Sequence, residues 1–137
     1  ARINSLKSVT CWGSGKPFRE FLHVDDLGDA CVFCLENWDP DQHNYPLDSN
    51  NKKLYHLNVG SGFDLSISEL SLKIANATGF KGDILWDKSK PDGTPRKLLD
   101  CSRINSLGWA PKINLDQGLK STVSLFNQTD ISKIRKI

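Results

Sequence analysis

Strand-like and helix-like segments alternate along this chain, which predicts an α/β or α+β fold. Three observations carry the prediction. Short runs rich in apolar and β-branched residues, Ser8–Trp12, Leu54–Val59 and Ile84–Trp86, are bounded by glycine or charged residues. Between them, apolar residues recur at helical spacing, from Leu27 to Trp38, Ile67 to Ala77 and Leu115 to Phe126. Two of these helices also open on sequence signals of a capped N-terminus.

In chain order, residues 1–7 read as a leader of mixed character, followed by a strand over Ser8–Trp12. The Gly13-Ser14-Gly15-Lys16-Pro17 loop breaks that strand, and a second one resumes over Arg19–Val24. Asp25 or Asp26 is placed to cap a helix running to about Asn37, and two acids at its start suit the helix dipole. Its apolar stripe is Leu27, Ala30, Cys31, Cys34, Leu35 and Trp38. Residues 39–53 are polar and read as a surface loop. Leu54–Val59 is the next strand, ended by Gly60-Ser61-Gly62. Ser66 and Glu69 form a capping box, with Leu65 and Leu70 as a hydrophobic staple. Ile67, Leu70, Ile74 and Ala77 make that helix's inner face, and Gly79 stops it. A strand at 84–86 leads into a charged turn and a short extended run, Lys97-Leu98-Leu99. Asp100 or Ser102 opens a brief helix ending at Gly108. Asn114, with Gln117 three later, starts the last helix, whose inner face is Leu115, Leu119, Val123 and Phe126. Residues 128–137 read as a frayed, basic tail.

The chain's 137 residues fit one domain. A net charge of +2 is too small to imply a nucleic-acid partner. No apolar run approaches the roughly 20 residues of a membrane span, and no secretory segment opens the chain. No methionine occurs, even at position 1, so the chain reads as either processed or, in preference, a piece cut from a longer protein. Four cysteines, Cys11, Cys31, Cys34 and Cys101, are too few for a disulfide framework. Cys31 and Cys34 form a Cys-x-x-Cys pair, but their place on the helical stripe reads as two small buried hydrophobes. A zinc site would need a second pair at suitable spacing, which Cys11 and Cys101 do not supply.

The chemistry concentrates in the stretch from Lys88 to Asp100. Pro91-Asp92-Gly93 is a turn sequence, and Pro95 stiffens the step after it. Lys88, Lys90, Arg96 and Lys97 surround it. A stiff loop ringed by cations can hold a phosphate group with little ordering entropy left to lose, although a solvated loop has the same composition. The two glycine turns match no nucleotide motif fully. Gly13-Ser14-Gly15-Lys16 has the wrong spacing for a P-loop, with Pro17 where Ser or Thr is needed. For a dinucleotide fingerprint it has Phe18 where the third glycine belongs. Gly60-Ser61-Gly62 has Leu65 at the corresponding place and remains only a minor candidate for a phosphate cradle.

Three segments together resemble a family. Val9-Thr10-Cys11-Trp12-Gly13-Ser14-Gly15-Lys16-Pro17-Phe18-Arg19-Glu20-Phe21-Leu22-His23-Val24-Asp25-Asp26, His56-Leu57-Asn58-Val59-Gly60-Ser61-Gly62 and Ser89-Lys90-Pro91-Asp92-Gly93-Thr94-Pro95-Arg96-Lys97-Leu98-Leu99-Asp100 resemble, in order, segments of the GDP-L-fucose synthases. The last segment is long and specific, whereas the Arg19-to-Val24 run is similar in many sugar-nucleotide epimerases and dehydratases.

The resemblance implies an α/β protein. It would be the C-terminal substrate-binding portion of an extended short-chain dehydrogenase/reductase, with short strands and three main helices over 1–137 and the N-terminal Rossmann domain absent. The family epimerises GDP-4-keto-6-deoxy-mannose at C3 and C5 and reduces C4 with NADPH, giving GDP-L-fucose. The resemblance further implies a cytoplasmic, homodimeric full-length enzyme that uses NADP and a GDP-sugar. No nucleic-acid or membrane partner is expected, nor any metal. The fragment itself is expected to be inactive, without bound NADP and prone to self-association. The Tyr-x-x-x-Lys pair is missing, since Tyr45 is followed four later by Ser49 and Tyr55 by Val59. No catalytic or cofactor-binding residue is therefore assigned within the chain, and His23 is read as structural. The family's substrate contacts map onto Trp12, Arg19, Asp92 and Lys97. Arg19 can fork onto a diphosphate and Lys97 can add a point charge. Asp92 can accept from a ribose hydroxyl or base N–H, and Trp12 offers a flat face with one N–H. Phe18, Cys101 and the 39–53 loop depart from the family's usual pattern. Two alternatives stay open: the substrate domain of another sugar-nucleotide epimerase or dehydratase, and a stand-alone nucleotide- or anion-binding module.

Overall fold

The computed structural model describes residues 1–42 and 46–129. In chain order its elements are β1 (Ser8–Trp12), β2 (Phe18–Glu20), α1 (Val24–Asn37), β3 (Asp64–Ser66), α2 (Ile67–Thr78), β4 (Asp83–Asp87), β5 (Arg96–Lys97), α3 (Ser102–Ser106) and α4 (Leu115–Gln128). The chain groups into two compact units. The first comprises Ala1–Pro17, Leu65–Pro95 and the chain from Asn114, and the second Phe18–Asp64 and Arg96–Ile113. No helix among the described residues is long and apolar enough to cross a membrane.

In the first unit β1 and β4 pair in parallel, from Ser8 opposite Asp83 to Trp12 opposite Asp87. Side chains alternate across a strand. Val9, Cys11, Ile84 and Trp86 are accordingly half-buried, while Thr10, Trp12 and Leu85 face outward. Both predicted capping boxes form. Ser66 Oγ accepts from the Glu69 N–H at 3.2 Å, and Glu69 Oε2 accepts from the Ser66 N–H at 2.8 Å. Asn114 and Gln117 repeat the exchange at the start of α4, at 3.0 and 3.3 Å. Gly79 closes α2 in the left-handed region, at φ 70°. Lys73 on α2 and Asp116 on α4 form an ion pair at 2.7 Å. The expected inner faces are only partly covered: Ile67, Leu70, Leu119 and Val123 are half-buried, but Ile74 and Phe126 stay 41% and 45% exposed. They line an open apolar groove of about 490 Å³ together with Val9, Phe80, Ile84 and Val123. The fully buried residue of α4 is Gly118.

The second unit has a core of Ala30, Cys101, Ile104 and Trp109, flanked by Leu22, Phe33, Cys34, Leu57 and Val59. Four expectations are corrected here. The strand expected over Arg19–Val24 ends at Glu20, because α1 starts earlier than its acids suggested. The cap is His23, whose Nδ1 accepts from the Asp25 N–H at 3.2 Å. Asp26 could not cap the helix. It is buried, and its carboxylate accepts from the backbone N–H of Lys112 and Ile113 at 3.1 and 2.9 Å. Leu54–Val59 belongs to no strand among the described residues, for want of a ladder partner. Its alternation survives nonetheless, with Leu57 and Val59 half-buried and His56 and Asn58 exposed.

The apolar stripe predicted for α1 is buried only at Ala30 and half-buried at Cys34 and Trp38, whereas Leu27, Cys31 and Leu35 are exposed. The helix instead turns Asp26, Ala30, Phe33 and Cys34 to its core. The brief α3 opens at Ser102, as expected, with Cys101 at its cap position and Asp100 Oδ1 accepting from the Ser102 N–H at 2.9 Å.

Strand β2 is the middle of a three-stranded sheet ordered β3-β2-β5, in which β2 and β5 run parallel. Within the expected loop, Leu47 and Lys53 form an antiparallel bridge, and Asp48 Oδ1 accepts from the N–H of Asn50 and Lys52. Residues 43–45 of that loop, and 130–137 of the expected tail, lie outside the described residues.

Candidate functional site

The second unit brings Arg19 and Lys97 together. They are register partners across the parallel β2–β5 pair, after Phe18 opposite Arg96. Neighbouring strands lie about 4.8 Å apart, and register partners put their side chains on the same sheet face. Arg19 is half-buried and Lys97 exposed. Arg19 Nη1 donates to the Phe18 carbonyl at 2.6 Å, which leaves four of the five guanidinium donors. Neither side chain is ion-paired with a carboxylate among the described residues. A pair of cations on one face, unneutralised and wet on one side, suits a diphosphate.

The neighbouring Arg96 does different work. It forks onto Asp64, with Nε and Nη2 donating at 2.6 and 3.1 Å. The Arg96 hydrogen bond holds the Asp64 carboxyl below its usual range. Of the cations around the charged turn, Arg96 is thus spoken for by a structural ion pair that ties β5 to β3.

The first unit carries Trp12 and Asp92. Trp12 is 75% exposed, and Lys90 Nζ sits 5.5 Å from its ring centroid, within cation–π range. Such a ring is a surface platform and no part of a core. Asp92 folds onto the first glycine turn. Its Oδ1 accepts from the Ser14 N–H at 2.7 Å and its Oδ2 from the Ser14 hydroxyl at 2.5 Å. These bonds, the hydroxyl first, hold the Asp92 carboxyl below its usual range. Gly13 needs both its freedoms here: φ is +85°, and any Cβ would run into Asp92 Oδ1. A carboxylate offers about four lone-pair positions, so Asp92 keeps acceptor capacity for a hydroxyl.

The second glycine turn also holds a carboxylate. Glu20 Oε1 accepts from the Gly62 N–H at 2.7 Å and the Ser61 hydroxyl at 3.5 Å, and its Oε2 accepts from the Leu99 N–H at 3.0 Å. A Cβ at Gly60 would meet Oε1 at 2.5 Å. The phosphate-cradle reading of Gly60-Ser61-Gly62 is therefore corrected, because the turn's donors already serve an internal anion. Sequence reasoning missed both Ser14 and Glu20. A serine between glycines, and an acid alternating with Arg19, were the available signals, but their partners lie 78, 42 and 79 residues away.

An NAD dependent epimerase/dehydratase family model matches residues 1–51. GDP-L-fucose synthase 1 of Arabidopsis thaliana is 47% identical over 122 residues, which cover 89% of this chain and 34% of that protein. GDP-L-fucose synthase of Escherichia coli K12 is 46% identical over 126 residues, 92% of this chain and 38% of that protein. This chain is a homologue of the GDP-L-fucose synthases. It spans about a third of the length of the curated relatives it matches.

The solved GDP-mannoheptose C4 reductase of Campylobacter jejuni, with NADP bound, is 38% identical with a TM-score of 0.70, over 88% of this chain and 32% of that one. Over those residues this GDP-L-fucose synthase homologue thus shares the α/β fold of the corresponding part of the extended short-chain dehydrogenase/reductases. Its described residues do not fit that cofactor. A dinucleotide pyrophosphate needs unoccupied N–H groups at a glycine turn, and Glu20 and Asp92 occupy both turns here.

Proposed function

We propose that residues 1–137 form the substrate-binding portion of a GDP-L-fucose synthase. In this reading the whole enzyme epimerises GDP-4-keto-6-deoxy-mannose at C3 and C5 and reduces C4 with NADPH. The present residues hold the GDP-sugar and carry no catalytic group. Support comes from the homology and, above all, from the Arg19–Lys97 pair, two cations in register on one sheet face with no ion-paired carboxylate among the described residues. Arg19 would fork onto the diphosphate while Lys97 supplies a second positive charge. Asp92 would accept from a hydroxyl, and Trp12 would lie against the nucleotide sugar, displacing Lys90 from its ring. With this reading go a cytoplasmic setting, an isomerase step and a homodimeric whole enzyme. Self-association of the isolated portion through its open apolar surfaces belongs to it too.

The test uses the 1–137 chain. Calorimetric titration with GDP should show binding, weaker for GMP, which lacks the second phosphate. NADPH with GDP-4-keto-6-deoxy-mannose should give no oxidation. GDP binding no tighter than GMP removes the diphosphate assignment, and NADPH turnover by this chain removes the division of labour.

A further inference from the structure

We propose that Glu20 is a positioning residue, one that keeps Arg19 and Lys97 side by side for the diphosphate. The proposal rests on the diphosphate reading given above and adds a residue with no ligand contact of its own. Arg19 and Glu20 are consecutive on β2, so they project to opposite faces of the sheet. On one face stand Arg19 and its register partner Lys97. Toward the other, the Glu20 carboxylate receives the Leu99 N–H, two residues beyond Lys97, together with the Gly62 N–H.

Strand β5 has only two residues, Arg96 and Lys97. Ladder bonds alone hold so short a strand weakly, and two like charges brought into register push it away. Glu20 closes the chain just past β5 against β2, as the Arg96–Asp64 fork holds its beginning. Cys101 is buried beside this carboxylate, and burial and then the Glu20 charge push its thiol above its usual range. A carboxylate is the group this position requires. Both backbone partners are donors, so an amide at Glu20 would turn its NH₂ against one of them.

The test is the coupling between Arg19 and Lys97 in GDP binding. In the 1–137 chain, Arg19→Ala and Lys97→Ala should each weaken GDP binding. The double variant should lose less than the product of the two, by about fivefold. In a Glu20→Gln background that coupling should fall to nearly onefold. Gly60→Ala, which displaces the carboxylate without changing it, should have the same effect. A merely structural role would lower thermal stability and leave the coupling intact. Two failures are distinguishable. If neither Arg19→Ala nor Lys97→Ala changes GDP affinity, the diphosphate reading falls, and this proposal with it. If both do, but the coupling persists in Glu20→Gln or Gly60→Ala, the positioning role alone is overturned.

Discussion

Removing the Arg19 side chain is the most informative perturbation of this molecule. Arg19 and Lys97 are register partners, which sets their charges roughly 5–8 Å apart, depending on rotamer. At that separation two cations repel by about 0.5–0.8 kcal/mol in water-like surroundings. That repulsion is relieved when a diphosphate arrives between them. A charge-assisted hydrogen bond contributes about 1.5–3 kcal/mol, and a truncated partner of a fully desolvated pair costs about 2–5. Arg19 is half-buried and Lys97 exposed, so water screens the pair and the lower end applies. We expect Arg19→Ala to weaken GDP binding by about 1.5 kcal/mol, or roughly tenfold in Kd. The loss should shrink as ionic strength rises from low salt to 1 M, where the screening length falls to about 3 Å. Arg19→Lys keeps the charge and loses the fork, so it should recover only part of the affinity. The assay is isothermal titration with GDP, with circular dichroism to confirm an unchanged fold. Wild-type affinity in Arg19→Ala, or full recovery in Arg19→Lys, would refute the bidentate diphosphate contact.

Three further outcomes follow from the same geometry. Ile104 is fully buried in the second unit's core, so Ile104→Ala should lower stability by about 3 kcal/mol in urea unfolding; a change under 1 kcal/mol would mean the core lies elsewhere. Asn114 opens α4 with both halves of its capping box made, so Asn114→Ala should cost about 1 kcal/mol, and an unchanged melting temperature counts against the box. The Ser14 bonds lower the Asp92 carboxyl from its ordinary value of 3.8. Its contribution is therefore complete above that value and lost as pH falls through the lowered one. Ser14 amide exchange, corrected for intrinsic rate, should stay protected at neutral pH and open only in acid. Asp92→Ala should leave that amide open throughout, and equal protection in the two proteins would exclude the contact.

Much of this molecule is written locally. The capping boxes at Ser66–Glu69 and Asn114–Gln117, the left-handed stop at Gly79 and the two strands β1 and β4 are legible because their signals sit within a few residues of one another. The likeness to the GDP-L-fucose synthases is legible too, from the long run around Asp92 and Lys97. What only the tertiary structure decides is where the distant partners meet. Asp26 looks like a helix cap until the Lys112 and Ile113 amides claim it, and His23 takes its place. Leu54–Val59 has the pattern of a strand, but a strand exists only with a neighbour to bond. The α1 stripe is apolar over a wider arc than its unit covers, so periodicity alone could not say that Ala30 is buried and Leu35 left 87% exposed. Two glycine turns that read as incomplete nucleotide motifs hold Asp92 and Glu20 instead. A turn of backbone N–H groups attracts any anion, and only the fold determines whether that anion is a phosphate or the protein's own carboxylate.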